Sequence, residues 1–86
     1  MSGGFFQYQQ YRIEEIAEAI KECIQKPEDY SLSEEVVAKM KIAVMHLEYS
    51  YVYVSACDRL VSGDSSTESF FERLNFDLNY FNKKYE

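Results

Sequence analysis

The chain has 86 residues and a mass of 10.2 kDa, the size of one small domain, and its 47% hydrophobic content is too high for a disordered segment. Lys and Arg number 9 against 15 Asp and Glu, and the resulting charge of −6 argues against a dedicated binder of nucleic-acid polymers, which needs a basic face. No apolar run approaches the length of a membrane span, and no secretory signal opens the chain, so the expected location is the cytoplasm.

Three glycines and one proline leave few breakers, which predicts few, long elements, helices rather than many short strands. Residues 1–7 form a lead with a Gly pair and then Phe5 and Phe6. A first helix is predicted over 8–25, where Ile13, Ile16, Ala17, Ile20 and Ile24 recur at helical spacing. Glu14, Glu15, Glu18 and Glu22 give it an acidic, solvated side, and Pro27 ends it. Ser31 and Glu34 read as a capping box opening a second helix over 32–62, with Gly63 as its left-handed stop. The run 48–55 alternates and is rich in strand formers, but helix-forming flanks without turn residues assign it to the helix. Ser65 and Glu68 read as a second box, opening a third helix over 66–84 whose stripe is Phe70, Leu74, Leu78, Phe81 and Tyr85. The expected fold is all-α: a single helical domain over 1–86, a three-helix antiparallel bundle with a long central helix.

That central helix carries more apolar surface than two neighbours can cover. Val36, Met40, Ala43, Leu47, Val54, Cys57 and Val61 lie along one line, and Ile42, Met45, Tyr49, Val52, Ala56 and Leu60 along another. Phe71, Phe76 and Tyr80 fall off the stripe of the third helix. Homo-oligomerisation, most simply a symmetric dimer through the second helix, is the expectation.

No catalytic motif is present, and an enzyme is not expected. The chain holds no glycine-rich phosphate loop, no HExxH and no CxxC pair. His46 is the only histidine, and with Cys23 and Cys57 it is too scattered for a zinc site, so neither a metal nor a cofactor is expected. The 62–68 loop is more suggestive. Its free amides would precede a helix N-terminus, a ready anion site, with Gly63, Asp64 and Ser65 in the loop and Arg59 and Arg73 on either side. Arg12 adds a third cation, and Tyr8 or Tyr11 could stack on a base. Capping and surface ion pairs such as Arg73 with Asp77 are the simpler use of the same residues.

Both ends of the chain resemble a group of small phage and prophage proteins. At the start this rests on Met1-Ser-Gly-Gly-Phe-Phe, Tyr8 and Tyr11-Arg-Ile-Glu-Glu-Ile-Ala. Near the end it rests on Ser62-Gly63-Asp64 followed by Glu68, Phe70 and Arg73. Where such proteins carry tryptophan or leucine before Ser-Gly-Asp, this chain has Leu60-Val61. The resemblance implies a phage accessory protein that acts in the host cytoplasm and binds stoichiometrically. Two functions follow as expectations. One is a non-enzymatic counter-defence protein that sequesters a nucleotide signal in a pocket between subunits, through Tyr8, Arg12, Arg59, Gly63, Asp64, Ser65 and Arg73. The other is an acidic inhibitor that binds a host defence protein through the glutamates of the first helix.

Overall fold

The computed structural model describes residues 6–85; residues 1–5 and 86, and with them most of the expected lead, lie outside them. Three helices follow in chain order: α1 (Tyr11–Gln25), α2 (Glu34–Val61) and α3 (Thr67–Lys84), with a 3₁₀ turn, Pro27–Tyr30, between the first two. No strand occurs among the described residues, and the β-rich run 48–55 is helical throughout.

The helix starts differ from the sequence expectation for local reasons. α1 begins three residues late because Gln7 (φ 52°) and Tyr8 (φ 63°) are left-handed. Ser31 does not cap α2. It adopts φ 57° to close the 3₁₀ turn, and Ser33 caps instead, its hydroxyl accepting the Val36 N–H at 3.2 Å. At α3 the cap shifts by one, to Ser66, whose Oγ accepts the Ser69 N–H at 3.1 Å. Gly63 does end α2, at φ 82°. Its N–H donates to Leu60 O, and the Asp64 N–H donates to Arg59 O at 2.9 Å, the paired bonds of a Schellman motif.

Both outer helices run antiparallel to α2. On one flank Gln10 meets Asp58 while Lys21 reaches Glu48; on the other Leu74 packs with Val52 and Ala56 while the Tyr49 hydroxyl donates to Asn82 Oδ1 at 2.7 Å. The 28 residues of α2 span about 42 Å at 1.5 Å each. The molecule is elongated to match, 46 × 29 × 13 Å. Its radius of gyration of 15.5 Å exceeds the roughly 12 Å of a compact chain this long. A 13 Å thickness is that of little more than one helix, so the three helices form nearly a single layer with α2 as the shared element.

The core is correspondingly thin. Val52, Ala56 and Leu74 are buried together, with Phe70, Leu78 and Phe81 packed against them, which is the predicted α3 stripe. Toward α1 the buried residues are the small Ala17 and Val44. Ile16, assigned to the α1 stripe by spacing, is exposed, as are Phe71, Phe76 and Tyr80. Replacing Ser33 by alanine removes a capping acceptor and is expected to cost about 1 kcal/mol in denaturant unfolding. Ser31→Ala, which removes no cap, is expected to leave the midpoint nearly unchanged.

Candidate functional site

Because α1 and α3 pack on different flanks of α2, a cleft of about 520 Å³ remains between them. The size falls in the range of small-molecule sites, about 300–1,000 Å³. Its apolar floor comes from Ala17, Leu47, Val52 and Phe81. Three tyrosines form one side as a ladder: Tyr8 and Tyr11 have ring centroids 6.0 Å apart, and Tyr11 and Tyr51 are again 6.0 Å apart.

The upper end of the cleft is built on Asp58. This residue is 8% exposed, and its carboxylate accepts the Phe6 N–H at 2.9 Å and Gln10 Nε2 at 3.3 Å. Two successive non-glycine residues in left-handed conformation cost about 1–2 kcal/mol each. The turn that contains them, at Gln7 and Tyr8, lies between the two groups that Asp58 holds. Asp58 therefore secures the strained turn that carries Tyr8 to the cleft. Gln10 Oε1, on a cleft-lining residue, is buried with no hydrogen-bond partner among the described residues, while the Ser55 hydroxyl lies against the Tyr51 phenol.

At the other end Glu48 collects ammonium groups from both outer helices: Lys21 at 3.3 Å and Lys84 at 3.1 Å. Burial lowers the Lys21 pKa, but hydrogen bonds to Glu18 and Glu48 and their negative charges outweigh it, leaving the group above its ordinary 10.5. Burial first, and the charge of Glu14 second, raise the Tyr51 phenol above its ordinary 10.0.

Five carboxylates (Glu14, Glu18, Glu48, Asp58, Asp77) and three cations (Lys21, Arg59, Arg73) line the cleft. Most of the acids are already engaged. Glu18 and Glu48 bond Lys21, Asp58 takes two N–H donors, and Asp77 pairs with Arg73 at 3.5 Å. Arg59 has no carboxylate partner among the described residues.

Of the residues predicted from sequence, Tyr8, Arg59 and Arg73 line this one cleft. Arg12 does not; it is exposed and donates to Gln9 Oε1 at 2.9 Å. Gly63, Asp64 and Ser65 lie at the α2–α3 turn outside it, and the Gly63 and Asp64 amides are already used in ending α2. Gln10, Ser55 and Asp58 escaped sequence reasoning. The one available signal was Asp58, an acid closing a stretch of α2 poor in charge. His46 is exposed on another side of α2, Cys23 and Cys57 are free thiols, and no cluster that could hold a metal occurs among the described residues. No described helix is long and apolar enough to cross a membrane. Comparison with family models, with curated proteins and with solved structures finds no match for this chain.

Asp58→Ala leaves the buried Gln10 amide unpaired and the turn unsupported. It is expected to cost about 1–3 kcal/mol in chemical unfolding and to speed hydrogen exchange at the Gln9 and Tyr11 amides. Lys21 and Tyr51 both have folded-state values above their unfolded ones. The stability they lend is therefore complete below about pH 10 and is lost as pH climbs through the raised values. The melting temperature is expected to fall on the alkaline side of pH 10, and less steeply in Lys21→Met and in Tyr51→Phe.

Proposed function

We propose that this chain is a non-enzymatic binding protein that sequesters a small nucleotide in the cleft between α1 and α3. The observation that carries the reading is Arg59, a guanidinium without a carboxylate partner among the described residues, in the same cleft as the Tyr8–Tyr11–Tyr51 ladder. Arginine matches a phosphate with its planar fork of donors, and a tyrosine face accepts a base. Arg73 is a second phosphate contact, since its pair with Asp77 is largely solvent-exposed and weak. Gln10 Oε1 would gain a partner from a ligand that donates N–H, as a base amino group does.

The acidic rim narrows the ligand class. Glu14 and Glu18 repel a dense polyanion such as a triphosphate. A cyclic nucleotide or dinucleotide carries one charge per phosphodiester and spreads those charges among its bases. Sequestration fits better than turnover because the cleft offers no general base beside an activated nucleophile. The resemblance of both chain ends to phage proteins supplies the setting, a signal removed during infection. The cleft is built by one chain, so binding does not require the pocket between subunits that the sequence suggests.

A second reading keeps one specific support. Glu14, Glu15, Glu18 and Glu22 are all exposed along α1, a face suited to a basic protein surface. Calorimetry against cyclic and linear nucleotides separates the two. The expected result is saturable binding of at least one cyclic species, recovered chemically intact. Arg59→Ala is expected to weaken it tenfold or more, from the roughly 1.5–3 kcal/mol of a charge-assisted contact. No heat with any nucleotide would remove this reading and leave the acidic one.

A further inference from the structure

Five residues of α2, His46, Ser50, Tyr53, Cys57 and Val61, are exposed. Their spacing of three and four places them on one side of the helix, opposite Glu48, Ser55 and Arg59 of the cleft. No Asp, Glu, Lys or Arg falls on that side across 46–61, although 28% of the chain is charged. Tyr53 is 49% exposed and Val61 55%. We propose that a second copy of the chain docks on this strip, α2 against α2, antiparallel about a two-fold axis that passes between Tyr51 and Val52.

Three observations carry the choice of occupant. The first is self-complementarity. An antiparallel pair centred there sets Ser50 opposite Tyr53 of the second copy and Cys57 opposite its His46, a small side chain against a large one in each case, and Val61 opposite its exposed Ile42, an apolar pair at either end. The second is area. The chain exposes 6376 Å², against about 5,300 Å² for a compact monomer of this mass. The excess of about 1,000 Å², taken over the whole chain, is large enough to supply the roughly 800 Å² that each partner gives to a standard interface. The third is thickness: a layer of 13 Å lacks the second layer that a domain core is normally built from, and a copy on this strip provides it. An uncharged strip also disfavours a charged macromolecule as occupant. The proposal does not rest on the nucleotide reading, because the two clefts face away from the interface.

Sedimentation equilibrium of the full chain is expected to give twice the 10.2 kDa monomer mass. Tyr53→Glu is expected to return it to the monomer mass with an unchanged helical circular dichroism spectrum, since Tyr53 is exposed in the single chain. In a Cys23→Ala background, His46→Cys is expected to cross-link to Cys57 of the second copy under mild oxidation. Native Cys57 is not expected to cross-link to itself, because eleven residues of rise hold the two thiols roughly 16 Å apart, beyond disulfide reach. A monomer mass for the native chain at millimolar concentration would overturn the proposal. So would a Tyr53→Glu protein that still dimerises, or efficient Cys57–Cys57 cross-linking.

Discussion

Glu48 is the point at which the three helices are tied. Its carboxylate, 12% exposed, takes Lys21 from α1 and Lys84 from α3, and among the described residues no other carboxylate pairs with both flanks of α2. A buried carboxylate left unpaired would be costly, so both ammonium groups are held to it. Their stems help to cover apolar surface on the way: Lys84 Nζ lies 5.6 Å from the Phe81 ring centroid and 5.4 Å from that of Tyr85. With one end pinned on Glu48 and the outer helices on separate flanks, the space between them is not closed by side chains of the core. The cleft is a consequence of that arrangement rather than an addition to it.

The opposite end is fixed by different chemistry. There the chain enters α1 through two left-handed residues that no propensity favours, and the Asp58 carboxylate holds the amide before them and the side chain after them. Local strain opposed by a buried acceptor is the pattern expected where a side chain must be aimed. What it aims here is Tyr8, the first ring of the ladder. The two anchors act on different parts of the site. Glu48 sets the separation of the walls, and Asp58 sets the position of the aromatic edge.

Much of the fold was legible in the residues, and the reasons are physical. Long helices follow from a chain nearly without Gly or Pro, and the α3 stripe from a strict three–four recurrence that only one face of a helix can satisfy. Flanking helix formers decided 48–55 correctly against its strand-like composition. The caps were misplaced by one and two residues because Ser31, Ser33, Ser65 and Ser66 all qualify by type. Only the backbone angle of Ser31, spent on closing a 3₁₀ turn, decides between the first pair. The site was half legible. Tyr8, Arg59 and Arg73 line one cleft, although helical periodicity does not fix which arginines meet. The loop 62–65 did not join them, since a sequence shows where amides are available in principle and not which carbonyls they have taken. Gln10 and Asp58 were invisible because their importance lies in contacts across 48 residues or more, and no local pattern encodes that.

The cleft and the uncharged strip have one cause. A helix of 28 residues with apolar positions on nearly every side has too much surface for two shorter neighbours. If α1 and α3 moved together to bury more of it, the cleft would close and Arg59 and the tyrosines would lose their common space. If they opened further, the small core around Val52, Ala56 and Leu74 would be exposed. The observed spacing leaves one side of α2 hollow, with an apolar floor and charged groups around it, and the other side uncovered, without charge across 46–61. In the proposed dimer a copy of the same strip covers the second surface and leaves the cleft open.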